Sequence, residues 1–139
     1  KIMQVHTCLH LLCSLIKAPV TGGQISDSKG RLDFDLESKP DKQFVIDNLN
    51  KLIKENHEVK ILSITEEELD KNPDLVRTMA VQPPRGSGVI RMISIGQGVD
   101  YQPCGGTHVQ NTSEISLVTK VKVENKGRMN KRVILDFNN

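Results

Sequence analysis

Apolar residues repeat every three to four positions in two stretches of this chain and every second position in several others. Val5, Cys8, Leu9, Leu12, Leu15 and Ile16 form one stripe at helical spacing, so the spacing predicts a helix over 4–17, ended by Pro19. Val45, Ile46, Leu49, Leu52 and Ile53 predict a second helix over 41–56, opened by Pro40-Asp41. Thr65 with Glu68 fits a capping box and starts a short helix through about Lys71, and 74–80 reads as another short helical piece. Residues 20–26 and 31–36 predict a hairpin across a turn at 27–30, with Leu32, Phe34 and Leu36 inward and Arg31, Asp33 and Asp35 outward. Residues 59–64 and 89–95 read as strands. Gln82 to Gly88 is a loop, and Gly96-Gln97-Gly98 is a turn leading into 99–102. Leu117, Thr119, Val121 and Val123 alternate with lysines, and Val133, Leu135 and Phe137 alternate likewise. These two runs predict a closing hairpin around Lys126-Gly127.

Chemistry-bearing side chains collect at two places. His6-Thr7-Cys8-Leu9-His10 reads H-x-x-x-H, and Cys104-Gly105-Gly106-Thr107-His108 reads C-x-x-x-H. Two His four apart lie one turn above each other, and these fall roughly 100–150° from the centre of the apolar stripe. They are expected to flank the buried face and line a cleft. The paired glycines are expected to let the backbone take φ > 0, turn tightly and bring Cys104 and His108 to the helix. Imidazole and thiolate suit zinc. A Cys104–His108 nucleophile pair is the rival use of the same atoms, but it lacks a visible third group to orient the His. His57 lies in a charged segment and reads as solvated. Cys8 points into the stripe, and Cys13 reads as a core thiol or a fifth ligand.

Composition narrows the classes. The chain has 139 residues, enough for one domain over 1–139. With three Phe, one Tyr and no Trp, a base-stacking platform for single strands is disfavoured. A net charge of +2 argues against a general nucleic-acid sponge. Three Cys, an odd number, read as reduced thiols in the cytosol, and no apolar run suits a membrane span.

His6-Thr7-Cys8-Leu9-His10, then Cys104 to Val109, then Asn111-Thr112-Ser113-Glu114-Ile115 resembles the editing domain of alanyl-tRNA synthetases. The resemblance is closer to the freestanding alanyl-tRNA editing proteins, and the threonyl-tRNA synthetase editing domain is a more distant relative. It runs from about residue 4 to about residue 137 and takes in 30–36, 91–96 and 131–133. It implies an α+β fold, an antiparallel sheet packed with helices, of the threonyl/alanyl second-additional-domain type. It implies hydrolysis of the ester of mischarged tRNA(Ala), chiefly seryl and also glycyl, at Zn2+ held by His6, His10, Cys104 and His108, the same four serving as the catalytic set. Thr21 matches a hydroxyl-bearing pocket position, Gln24 is nearby, and Gln102 stands where threonyl relatives carry an acid. Longer members carry a β-rich domain before the H-x-x-x-H helix, and this chain begins at Lys1, so it would be their catalytic part. The tRNA acceptor end is the implied partner and the cytoplasm the implied location.

Two further features keep two readings each. Lys120, Lys122, Lys126, Arg128, Lys131 and Arg132 crowd the last hairpin with Glu124 as the only acid among them. They are a solvated face or, through Lys126, Arg128 and Lys131, a phosphate contact. Gly22-Gly23-Gln24 spells the tripeptide of peptide release factors, or simply allows close backbone approach beside the cleft. Two alternatives to the deacylase are a zinc-stabilised tRNA-binding module without hydrolysis and an editing fragment of a complete synthetase.

Overall fold

The computed structural model describes residues 2–72 and 88–137. Three helices and seven strands are found among them: α1 Ile2–Leu15, β1 Val20–Ile25, β2 Lys29–Phe34, α2 Lys42–Lys54, β3 Val59–Thr65, α3 Glu66–Lys71, β4 Val89–Ile95, β5 Asp100–Pro103, β6 Lys120–Gly127 and β7 Asn130–Asp136. The expected piece at 74–80 and most of the 82–88 loop lie outside the described residues. Every strand pair is antiparallel. One sheet runs β1-β2-β7-β6 and the other β3-β4-β5. The fold is therefore α+β, as the resemblance implies, with two antiparallel sheets among the described residues in place of one. No helix among the described residues is long and apolar enough to cross a membrane.

The helical stripes do what their spacing predicts. α1 buries Cys8, Leu11, Leu12 and Cys13, and α2 buries Val45, Leu49 and Ile53 in the same core. Phe34, Val133 and Leu135 come from the four-stranded sheet, and Ile93 and Ile95 from the other. α1 touches β1 and β2 as well as β5, so it lies where both sheets can reach it. Gly30 on β2 is the point of closest approach, because a Cβ there would sit 2.6 Å from Val5 Cγ1. A smaller cluster of Leu69, Ile90 and Met92 forms under α3. Its cap is the expected one: Thr65 Oγ1 accepts from Glu68 N at 3.0 Å, and Glu68 Oε1 accepts from Thr65 N at 3.4 Å.

Three expectations change. The last hairpin begins at Lys120, and Leu117 lies outside it, 49% exposed. His57 is half-buried, packed against Gly96 and bonded through Nε2 to Glu55 Oε1 at 2.8 Å. Gly96 has φ +59, and a Cβ there would meet His57 Nδ1 at 2.5 Å, so the turn closes directly over the ring. Asp33 does face away from the helices, yet it is only 7% exposed. Arg132 Nε donates to its Oδ1 at 2.9 Å and Arg31 Nη1 to its Oδ2 at 2.8 Å, and the two guanidinium groups cover it.

That cluster gives a stability prediction. Burial alone would raise the Asp33 pKa, but the bonds from Arg132 and Arg31 overcome it and hold the pKa below its ordinary value. A depressed carboxylate pKa adds stability that is complete above the unfolded value of ~3.9 and lost as pH falls through the folded value. Asp33→Asn should therefore destabilise the protein by about 1–2 kcal/mol at pH 7. The gap between wild type and variant should shrink below pH ~4. Thermal melts at pH 7 and pH 3 check this, and a gap equal at both would show that the charge on Asp33 contributes nothing.

Candidate metal centre and its cleft

Helix geometry sets His6 and His10 one turn apart on α1, with ring centroids 5.0 Å apart. The loop after β5 brings the second motif onto them. His108 stacks on His6 at 4.0 Å between centroids, with the rings 28° apart. One ligand atom from each of His6, His10, Cys104 and His108 lies within 4.8 Å of the others. His10 is more covered than its place on the helical wheel predicts: it is 6% exposed, because β5 lays Asp100 against it.

Each imidazole is held by Nδ1. His6 Nδ1 donates to the Thr107 carbonyl at 3.0 Å, and His10 Nδ1 donates to Asp100 Oδ2 at 3.0 Å. His108 Nδ1 lies 2.9 Å from Thr7 Oγ1, a hydroxyl that also accepts from Val109 N. With Nδ1 engaged on all three rings, Nε2 is the atom left to face the centre. Cys104 Sγ lies 3.3 Å from His6 Nε2 and 3.6 Å from His108 Nε2. Zn–S of ~2.3 Å and Zn–N of ~2.0 Å at a tetrahedral angle require S···N of ~3.5 Å, so these spacings and this donor set fit zinc.

The electrostatics point the same way. Burial would raise the Cys104 pKa, but hydrogen bonds from His10, His108, His6 and the Gly106 backbone bring it down to about 3. The sulfur is a thiolate at neutral pH, the form that binds metals. Burial would lower His10, but Asp100 and Cys104 overcome it and raise it to about 9. His108 is lowered, by burial first and by the two neighbouring imidazoles. Such a thiolate calls for positive charge, whether from imidazolium protons or from a metal ion. Cys8 is the opposite case, a thiol that burial pushes up to about 12, and it is structural.

The glycines of the loop serve differently from expectation. Neither Gly105 nor Gly106 has positive φ; among the described glycines only Gly88, Gly96 and Gly98 do. Gly106 is required by space instead, since a Cβ there would run into the His6 ring. The loop is also clamped from β4. Arg91 Nη1 donates to the Cys104 carbonyl at 2.9 Å and to the Gly106 carbonyl at 2.8 Å. The groups that orient the histidines, Asp100 and Thr7, and the clamp Arg91 escaped the motif reading. Asp100 had a signal: it lies two residues before Gln102, on the same face of β5, and four before Cys104.

A cleft of about 410 Å3 opens beside the centre, between α1, β1, β2 and β5. Leu9, Val20 and Leu32 give it apolar walls, and Gln24 and Gln102 bring polar atoms into it. Cys13 is buried in the core and also reaches this cleft. Gly23 permits close packing, for a Cβ would meet Leu32 Cδ2 at 3.0 Å and the Arg31 carbonyl at 3.1 Å. Thr21 is not among the lining residues. A bulge between Val20 and Gly22 sends Val20 to the cleft, and the Thr21 hydroxyl donates to Asn130 Oδ1 at 3.4 Å. Lys131 also departs from its expected place. It is 3% exposed, and its Nζ donates to the Gly127 and Arg128 carbonyls, closing the hairpin turn from inside. Lys126 and Arg128 remain exposed near that turn, Lys126 with Glu124 at 3.5 Å. Arg132 is engaged with Asp33.

Residues 90–134 match the family described as the threonyl and alanyl tRNA synthetase second additional domain. The alanyl-tRNA editing protein AlaX-M of Saccharolobus solfataricus is 36% identical over 137 residues, covering 96% of this chain and 57% of that protein. AlaX-M of Methanosarcina acetivorans is 33% identical over 137 residues, covering 94% and 56%. The alanine–tRNA ligase of Methanococcus vannielii is 29% identical over 136 residues, covering 89% of this chain and 15% of the ligase. The chain thus spans a little over half the length of the AlaX-M relatives it matches. Residues 90–134 are thus similar to the threonyl and alanyl tRNA synthetase second additional domain, and nearly the whole chain is similar to part of these alanyl-tRNA editing proteins.

Proposed function

We propose that this chain is an aminoacyl-tRNA deacylase domain, over residues 1–139, that hydrolyses the ester of mischarged tRNA(Ala), seryl first and glycyl second. The observation that carries it is the convergence of three Nε2 atoms and a thiolate at the end of a cleft large enough for an amino acid. The relatives' names supply the substrate class.

In this reading His6, His10, Cys104 and His108 would hold zinc, which would supply Lewis-acid polarisation of the ester. Asp100 keeps a proton on His10 Nδ1, and the Thr107 carbonyl keeps one on His6 Nδ1, so both Nε2 lone pairs stay on the centre. Leu9, Val20 and Leu32 limit the water around the bound amino acid. Water adds to the ester carbonyl, and the tRNA 3′ oxygen leaves with a proton. A polar group that pairs with the seryl hydroxyl is left unpaired by alanine, which protects correctly charged tRNA(Ala). Gln24 is the candidate, because Thr21 turns away. Lys126 and Arg128 hold acceptor-stem phosphates, and Lys131 supports their turn.

One observation favours a second reading. Four protein ligands are the usual complement of a closed structural site, which suits a zinc-stabilised tRNA-binding module. Incubation with Ser-, Gly- and Ala-charged tRNA(Ala) separates the two. The deacylase should cleave the seryl ester at least about 100-fold faster than the alanyl ester. It should lose activity in chelator and regain it with zinc. Binding of tRNA without cleavage would establish the module. Full activity in chelator by metal-free protein would remove zinc and leave a water held by the histidines.

A further inference from the structure

Two glutamines enter the cleft, and their surroundings turn them in opposite senses. Gln102 Nε2 donates to Asp100 Oδ2 at 2.8 Å, the same oxygen that accepts from His10 Nδ1. Asp100 is 6% exposed. A carboxylate only accepts, so the amide must offer it nitrogen, and the assignment of its two ends is fixed. Oε1 is left facing elsewhere. No hydrogen bond reaches it among the described residues, and none of their buried side-chain oxygens lacks a partner. Oε1 is therefore not buried, and Gln102 is one of the residues that line the cleft. Gln24 is turned the other way: its Oε1 accepts from Arg31 Nε at 3.5 Å, a donor that has no acceptor to offer, so Nε2 is the end left over.

We infer that Oε1 of Gln102, held in place by Asp100, is the cleft's receptor for the α-ammonium group of the aminoacyl ester. This rests on the deacylase reading. The aminoacyl group has one cationic donor, the ammonium, which all amino acids share, and a hydroxyl only when it is serine. An amide whose nitrogen already donates to a carboxylate is polarised toward its oxygen, and such an acceptor strengthens with the charge of its donor. Gln102 lies on β5 and Cys104 directly follows the strand, two residues and at most about 7 Å further along the chain, and both line the cleft. That span lets a long Gln side chain reach the α-carbon substituent while the ester carbonyl lies at the sulfur end. The donor end of Gln24 suits an oxygen and repels an ammonium, so the two glutamines divide the work.

Gln102→Met keeps the length of the side chain and removes both polar atoms. Zinc-loaded wild type and variant should be compared on three esters of tRNA(Ala): seryl, glycyl and 3-hydroxypropionyl. The last is the seryl ester without its amino group. The variant should lose about tenfold to a hundredfold in kcat/KM on the seryl and glycyl esters, mostly through KM. The ester without the amino group should be cleaved at the wild-type rate, which also shows that the variant is folded. An equal loss on all three would mean that Gln102 only supports His10 through Asp100. A loss confined to the seryl ester would mean that the amide reads the hydroxyl. No loss on any ester would remove Gln102 from recognition. Each of these overturns the inference alone, whereas wild-type protein that cleaves none of the three overturns the deacylase reading and this inference with it.

Discussion

Cys104→Ala should lose both zinc and deacylation. Elemental analysis should fall from about one zinc per chain to a small residue, and seryl-tRNA(Ala) cleavage should drop at least about 100-fold. Cys104 is the single anionic ligand of the four. Its thiolate is stabilised by three imidazoles and the Gly106 amide, which draw the pKa down to about 3, and a metal ion takes over that role when bound. Alanine leaves three imidazoles with no counter-charge except Asp100 behind His10. The fold should tolerate the change, because Cys104 is only partly buried and the Arg91 clamp grips main-chain carbonyls. A zinc-free variant that keeps wild-type activity would shift catalysis to the histidines.

Gly106→Ala should weaken zinc binding about tenfold to a hundredfold while leaving the melting temperature nearly unchanged. The added methyl runs into the His6 ring at Cε1 and would lie 2.7 Å from Nδ1. His6 cannot simply swing aside, since Nδ1 is tied to the Thr107 carbonyl of the same loop and Nε2 faces Cys104. Relief requires the loop to back away and carry Cys104 and His108 off their positions. Gly105→Ala is the matched control, because a Cβ there meets nothing within 4 Å. Competition with a chromogenic chelator reads both. Equal affinities for the two variants would show that Gly106 is not a spacing device.

The sequence carried the elements well and the interior of the site less well. Periodicity suffices for α1, α2 and the strands because each buries one face, and burial of a face is a local, repeating property. The four residues that come together as a candidate metal site were legible because few His and Cys exist to choose among. What stayed hidden depends on long-range contact. Asp33 was expected outside, and only pairing with β7 brings Arg132 over it. Lys131 counted as a surface charge until its ammonium was seen to fold back on its own turn. Thr21 was expected at the pocket by resemblance, but with a bulge between Val20 and Gly22 it is Val20 that lines the cleft. The role given to Gly106 was backbone freedom, and only the approach of His6 reveals it as a matter of volume.

The order β1-β2-β7-β6 places side by side at the middle of the sheet two strands about a hundred residues apart in the chain. Phe34 pairs with Lys131 and Lys29 with Asp136, partners about a hundred residues away. A nascent chain that has released α1, β1 and β2 must therefore wait, with β2 an open edge and Phe34 without Val133 and Leu135 beside it. Contacts so distant in sequence close slowly. His6 and His10 share this wait, since Cys104 and His108 follow by almost as many residues. The candidate metal centre thus cannot assemble before the chain has grown through His108, and it comes together with the same distant segments that close the sheet beside it.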